Sequence, residues 1–378
     1  MKPLISFDPN GTWRAAALLG LATSTYSTLV ASLGAGPLAG RDVAVDWMIV
    51  GTIPLRASAI NAVPTWNAII AGLLTHQAAD FGWTLVFFGL LGRWTSRLRP
   101  GPLLMLALPW AAATSAVEYF IVLPWAQPLF VLEQPYWVGL AVHATSSFGY
   151  PLFPWLRGRF VLHRDLPGSR GGRRWASVMA TVAFIVTLAA MFHSMSLAPP
   201  WPGLDVPAHT EQRAFLQRMT AHHELGTILA GFAQQKGSGA KGSVADLSLH
   251  DLGELMVVVQ ESEIRIMNAY WRSWYGGDVP VLQGEEHHIM PGMLEPATVA
   301  QLEAAAPGPE FERFFLTVMA EHHRGAVLMA NDALSRMADL RLKALASAIS
   351  HAQRGQLAIM DSLAARLGPL SIQRKPHP

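Results

Sequence analysis

Three pairs of adjacent histidines, His222-His223, His287-His288 and His322-His323, hold the highest density of metal-ligating side chains in this sequence. Ten of its 14 His lie after residue 205. Methionines accompany them. On a helix, Met319, His322, Ala326 and Met329 fall on one stripe, and His323 lies about 100° round from His322, so that one member of a pair can face a neighbouring helix. Imidazole and thioether together suit Cu(I) or Ag(I), because soft sulfur selects soft ions and a thioether needs neither deprotonation nor a reducing compartment. Between the outer two pairs, EEHHIMPGM gathers Glu285, Glu286, His287, His288, Met290 and Met293 within nine residues. Taken singly, a Met at helical spacing is ordinarily core filler and a His pair a hydrogen-bonded feature. It is the combination that points to metal.

That combination is duplicated. FLQRMTAHHELGTILA from Phe215 is answered by FLTVMAEHHRGAVLMA from Phe315, an offset of 100 residues that keeps Phe, Leu, Met and both His in register. Gln260, Glu263 and Met267 are answered by Gln353, Gln356 and Met360 at an offset of 93, so Met267 and Met360 supply facing sulfur. Helical patterns run over 211–233, 249–274, 296–305, 309–337 and 340–367, separated by Gly- and Pro-containing breakers, and nothing alternates with period two. Two duplicated helical hairpins packed as a four-helix bundle account for both offsets.

Composition divides the chain. Its 378 residues are 51% hydrophobic and only 14% charged, with no Cys, which excludes disulfides, thiolate metal sites and cysteine nucleophiles. The first 200 residues contain 13 basic against 7 acidic side chains and the remainder 15 against 19, and neither balance suits nucleic acid. Five apolar stretches, 14–36, 65–91, 103–123, 136–155 and 175–194, are expected to span a bilayer, since a crossing takes about 20 mostly apolar residues. The first could instead be a signal peptide. Arginines cluster after the second stretch (Arg93, Arg97, Arg99) and after the fourth (Arg157 to Arg174), which places those loops and the N-terminus in the cytoplasm and everything after Ser194 outside it.

The expected organisation is an integral membrane domain over 1–196, a Pro-rich linker over 197–206, the His/Met bundle over 207–367 and a tail over 368–378. The membrane half repeats as well. Gly72, Leu73, His76, Phe81 and Gly82 recur as Gly139, Leu140, His143, Phe148 and Gly149 at an offset of 67. Asp80 stands one turn after His76, and Glu118 adds a carboxyl on the third stretch. Ionisable groups at membrane depth are functional candidates by default, although hydrogen bonds holding helices together would also explain His76, Asp80, Glu118 and His143.

The C-terminal half resembles the bacterial domain of unknown function 305 family over about residues 207–365. The resemblance rests on Phe315, Met319, His322, His323, Ala326, Met329 and Ala330, on Gln353 and Met360, and on MPGM at Met290 to Met293. It implies a ferritin-like helical bundle and, from exported family members linked to copper and silver, a similar role. The first copy departs from the family pattern with Gly226 for Ala and Leu229 for Met. The second departs with Gln356 for Glu, a carboxylate that Glu263 keeps in the first.

The expectation is thus an all-α, membrane-anchored protein whose extracytoplasmic bundle binds Cu(I) or Ag(I) for buffering, resistance or delivery. Met319, His322, His323 and Met329, with Met219, His222 and His223, form the principal ligand set, and His287, His288, Met290 and Met293 a loop site. His76 and His143 could continue a route into the bilayer. The alternatives are a haem or redox membrane protein with His76 and His143 as axial ligands, and a sensory or structural protein whose His pairs answer to pH. No residue order suggests a catalytic cycle.

Overall fold

The computed structural model describes residues 11–36, 39–169, 171–194, 210–239, 247–282 and 289–367. Among these described residues the regular elements are helices and no strand forms. The expected linker at 197–206, the tail at 368–378 and the pair His287-His288 lie outside the described residues.

The N-terminal half contains α1 (Thr12–Val30), which continues as a π-helical turn over Ala31–Ala35, then α2 (Val43–Leu55), α3 (Trp66–Thr95), α4 (Pro100–Val117), α5 (Pro128–Glu133), α6 (Tyr136–Ser147) and α7 (Gly172–Ser194). Beyond Val117, α4 loosens into a π-turn at Glu118–Val122 and ends as Leu123–Ala126. Two stretches among the described residues, Thr12–Gly34 and Pro100–Ala126, are both long and apolar enough to cross a bilayer.

The other expected spans differ in kind. α3 has the length but carries Thr75-His76-Gln77 and Asp80 in mid-helix. α6 stops after 12 residues, about 18 Å of helix against roughly 30 Å of hydrocarbon; Pro151 and Pro154 follow, and each removes a backbone donor. A single straight fourth span over 136–155 is therefore not what forms. α2 was not anticipated, because its 13 residues are too few for a crossing and sit in what reads as a connection.

α8 (Thr210–Lys236) pairs with α9 (Leu249–Tyr275), and α11 (Pro309–Arg336) with α12 (Leu340–Leu367), while α10 (Pro296–Ala304) bridges the hairpins. α8 also packs on α11, and α9 on α12. Local signals place the ends. Ser248 and Asp251 form a reciprocal capping box that starts α9, and Gly276, at φ 73°, ends it. Pro309 with Glu310 and Glu312 opens α11. Along α9 the buried residues Leu252, Met256, Val259, Glu263, Met267, Tyr270 and Trp274 recur every three or four positions, so one polar residue sits in the middle of an apolar stripe.

The bundle docks on the N-terminal half through α9 and α12. The Asp42 N–H donates to Ser262 Oγ (2.6 Å), Arg265 pairs with Asp42, and His351 Nε2 lies 2.8 Å from the Val131 carbonyl. Gly40, at φ 78°, fits against Glu263 and Leu345, where a side chain would run into Leu345. One apolar cluster contains Val45, Met48, Ile49 and Leu129 of the N-terminal half together with Leu252, Met256, Phe315, Met319 and Met360 of the bundle.

The docking face is the 39–42 loop and α5, both in connections expected on the outer side. The arginine-rich loops meet each other at the far end of α1, where Gly168 N–H donates to the Ser96 carbonyl (3.1 Å), Arg157 Nη1 donates to Ser96 Oγ (2.7 Å) and Gly11 faces Val161.

Two glycines let α2 lie directly on α3. A Cβ on Gly72 would run into the Trp47 carbonyl, and one on Gly51 into that of Ala68. Gly139, the repeat partner of Gly72, has only Ser115 Oγ nearby, at 3.9 Å. Gly72→Ala is therefore expected to destabilise the protein by about 1–3 kcal/mol through overpacking, and Gly139→Ala to leave it unchanged. Thermal unfolding of the two variants in detergent checks the asymmetry.

Candidate metal centre

The bundle core is interrupted at mid-height by a polar layer. Toward one end lies the cluster that includes Met319 and Met360; toward the other, a cluster of Phe215, Met219, Met267, Trp271, Ala326 and Leu345. Between them are His222, His223, Gln260, Glu263, His322, His323, Gln353 and Gln356, all at most 2% exposed. Adjacent His residues on α8 and α11 sit about 100° apart, so each helix turns one imidazole toward the facing hairpin and one toward its own partner helix.

His222 and His322 meet across the α8–α11 contact, with ring centroids 3.8 Å apart and planes inclined by 14°. His223 Nε2 is 2.7 Å from Glu263 Oε2, and His323 Nε2 is 2.8 Å from Gln356 Oε1. Both are acceptors, so the imidazoles donate. His322 Nδ1 donates to the Gly292 carbonyl (2.9 Å), which the αL backbone of Gly292, at φ 75°, turns toward α11.

These bonds leave His322 Nε2 and His223 Nδ1 buried without partners. Neither nitrogen of His222 makes a hydrogen bond of ordinary geometry, the Pro291 backbone offering it only a weak polar contact. Both amide atoms of Gln260 and Oε1 of Gln353 are unpartnered too. Unsatisfied polar atoms are costly and rare in cores, so their concentration here singles out the layer as a candidate binding site. A His that donates one N–H to a carboxylate or carbonyl and keeps the other nitrogen free is the usual arrangement of a metal-ligating imidazole. By chemical type the donors suit a transition-metal ion, with the stacked His222–His322 pair as the nucleus of the set; among the described residues no three His or carboxylate ligand atoms of this layer lie within 4.8 Å of one another.

Burial, reinforced by neighbouring imidazoles, pushes His322 down to about 3 and His222 well below its usual value. Burial also pushes His323 down to about 4, against the pull of the Gln356 hydrogen bond. The rings are therefore neutral at pH 7, the form that binds metal.

Gly226 belongs to this geometry. A Cβ there would run into Gln260 Oε1 and stand 2.9 Å from His322 Nε2. The departure from Ala in the first copy is what leaves the room beside that nitrogen.

The methionines are placed differently. Met219, Met319, Met267 and Met360 are buried on the apolar sides of the polar layer, with Thr220 Oγ1 donating to Met267 Sδ (3.8 Å). Met329 is ten residues from Met319, about 15 Å along the helix, and lines a surface pocket with Arg218 and Arg336. Those two sulfurs do not reach one ion. Met290 is buried, and its carbonyl accepts from Met293 N–H (3.1 Å), closing the turn that presents Gly292.

In the N-terminal half, His76, Glu118 and His143 line a cavity of about 240 Å³ that Asp46 and Gln134 also border. His143 Nε2 is 3.1 Å from Glu118 Oε2, Trp83 donates to Glu118, Ser27 donates to Asp80, and His76 Nε2 is 3.1 Å from Ser27 Oγ. With each Nε2 engaged by a side chain, the geometry gives the haem alternative no support and favours hydrogen bonds that tie α1, α3, α4 and α6 together.

Sequence reasoning missed His250, Asp251 and Glu254, whose ligand atoms lie within 4.8 Å of one another. Their i, i+1, i+4 spacing was the available signal. Asp251, however, is occupied in capping α9.

Sequence reasoning also missed a buried connection to the N-terminal half. Gln356 Nε2 donates to Glu133 Oε1 (2.9 Å), and Arg41 Nη1 donates to Glu133 Oε2 (3.1 Å). Burial pushes Glu133 up to about 7, against the Arg41 guanidinium.

Residues 212–364 match the family model described as Domain of unknown function (DUF305). Similar solved structures include CopM in the Cu(I)-bound form (23% identity, 42% of this chain and 98% of that chain, TM-score 0.35) and in the Cu(II)-bound form (23%, 41% and 96%, 0.34). A DUF305 fragment from Deinococcus radiodurans is 29% identical over 42% of this chain and 99% of that chain, with a TM-score of 0.36. No curated protein matches the chain.

The depressed histidines make the apo fold acid-sensitive. Unfolded, each takes up a proton near pH 6.5; folded, His322 and His323 resist until about 3 and about 4. Their contribution is thus complete above about pH 6.5 and declines as pH falls toward those values. Glu133, raised to about 7, acts oppositely between its unfolded value of 4.5 and 7, but it is one group against three imidazoles. Unfolding of the metal-free protein in urea should show stability falling from pH 7 to 4, and His322→Asn should make the fall shallower.

Proposed function

Taking residues 212–364 as the DUF305 domain they match, we propose that this chain is a membrane-anchored, extracytoplasmic binder of a soft transition-metal ion, Cu(I) or Ag(I), serving buffering, resistance or delivery. The carrying observation is the set of unpartnered imidazole nitrogens on His222, His223 and His322, buried together at the meeting of two duplicated hairpins. His222, His223 and His322 hold the ion through the nitrogens left without hydrogen bonds. His323 completes the layer, and Met219, Met267, Met319 and Met360 border it with sulfur. Met290 and Met293 act through the turn that presents Gly292. Met329 has no part in this site.

The chain divides into an N-terminal membrane domain, a Pro-rich linker over 197–206 and the bundle. Anchoring is supported by the two long apolar helices and by the apolar exterior: among the described residues, 26 of the 31 large hydrophobic side chains that are exposed precede residue 195. Orientation is supported by the docking of the bundle at the end away from the arginine-rich loops, which the positive-inside rule puts in the cytoplasm.

Anaerobic titration of the detergent-purified apo protein with Cu(I), against a chromophoric competing chelator, tests the reading. Wild type should take up tightly bound Cu(I), His222→Ala/His322→Ala should lose it, and Met329→Leu should keep it. Gly226→Ala should weaken uptake by crowding His322 Nε2. Undiminished uptake by the double His variant would sink the proposal, and a Soret band in the purified protein would favour haem instead.

A further inference from the structure

The two hairpins are duplicates, yet they present different groups to their second histidines. His223 donates to a carboxylate, Glu263 Oε2 at 2.7 Å; His323, its counterpart, donates to an amide, Gln356 Oε1 at 2.8 Å. Glu263 and Gln356 are equivalent positions at the 93-residue offset. By itself the amide leaves the second hairpin one negative charge short. The charge is found next door. Gln356 uses its other end to donate to Glu133 Oε1 (2.9 Å), a carboxylate of α5 with no exposure, anchored through Oε2 by Arg41 Nη1 at 3.1 Å.

An amide is polar in a definite sense. With its N–H₂ committed to the Glu133 carboxylate, Gln356 can offer His323 only its oxygen, which draws the ring proton to Nε2 in competition with the Met319 carbonyl, 3.1 Å from Nδ1. Glu133, one amide further out, thereby does for His323 what Glu263 does for His223. A second carboxylate at position 356 would face Glu133 directly, and like charges in a dry interface repel strongly. Gln at 356 and Glu at 133 are in this sense one unit.

We propose that Glu133, held by Arg41 and acting through Gln356, is a positioning residue of the metal centre: the N-terminal half supplies the carboxylate that the second copy of the repeat lacks. This rests on the metal-binding reading above. It makes the centre a joint product of both halves, in which Glu263 and Glu133 serve the two His pairs and offset the charge of a captured cation. Arg41, 1% exposed and also 3.8 Å from Asp46, aims the Glu133 carboxylate and opposes its neutralisation by burial.

The test uses the full-length protein at pH 8, above the value to which burial raises Glu133. Cu(I) affinity is measured by chelator competition, and the ring-nitrogen NMR shifts of His323 are recorded in the apo state. Glu133→Gln and Gln356→Ala should each weaken Cu(I) binding by about tenfold, the lower end of what loss of an outer partner costs, since His323 borders the ligating rings and does not itself hold the ion. Both should remove the Nε2–H preference of His323. Gln356→Ala leaves the Arg41–Glu133 pair intact, so it remains informative should Glu133→Gln fail to fold. Glu133→Gln/Gln356→Glu, which moves the carboxylate onto His323 directly, should regain most of the affinity.

Cu(I) binding within twofold of wild type in both single variants, with the His323 tautomer unchanged, overturns the proposal. A wild type that binds no Cu(I) instead overturns the metal reading. The apo NMR arm would still decide whether Glu133 orients His323.

Discussion

Everything in the bundle is arranged around the cost of burying imidazole. Four histidines in a layer closed above and below by apolar clusters cannot be hydrated, so each of their nitrogens must find a protein partner, a guest, or nothing. The structure provides partners for some and withholds them from others. Glu263 and Gly292 each occupy one nitrogen of one ring, and His323 has both of its nitrogens engaged, by Gln356 and by the Met319 carbonyl. His222, stacked on His322, receives no ordinary hydrogen bond. This selective satisfaction distinguishes the layer from a structural polar network, in which a complete set of bonds would be the stable solution.

The same constraint separates the roles of His and Met. Thioethers carry little desolvation cost and can lie anywhere in a core, so their spacing says little about where they act. Met319 and Met360 pack in one apolar cluster, Met219 and Met267 in the other. Imidazole cannot be placed so freely. Its presence at full burial, without bonds, has to be explained by something else at the site.

Much of this was legible in the sequence, and what was not has identifiable causes. The five helices from Thr210 onward end within a few residues of their sequence-derived limits, since Ser248, Gly276, Pro296 and Pro309 are strong local punctuation. The duplication of FLxxMxxHH announced the two facing His pairs. The stripe running from Met319 to Met329, by contrast, suggested convergence where axial rise dictates separation, because helical periodicity records direction around an axis and not distance along it. α2 was hidden because a search for spans of about 20 residues passes over a buried helix of 13. The link from Gln356 to Glu133 joins positions 223 residues apart. No spacing rule reaches that far, and Gln356 read on its own meant only a carboxylate missing from the second copy.

That missing carboxylate shows how the two halves depend on each other. A bundle able to fold alone would be expected to close its own polar layer and to present a polar surface on α9 and α12. Here those helices contribute to an apolar cluster that also contains Val45, Met48, Ile49 and Leu129, and Gln356 points out of the bundle toward a carboxylate it does not own. Arg41 and Glu133 are then buried on both sides, by their own half and by the bundle. Uncovering them would expose apolar surface and would leave Gln356 without the partner that fixes its amide. The docking of the two halves is thus a condition of the site's order as well as of its position, and repeat symmetry that looks broken within residues 212–364 is restored only when α5 is included.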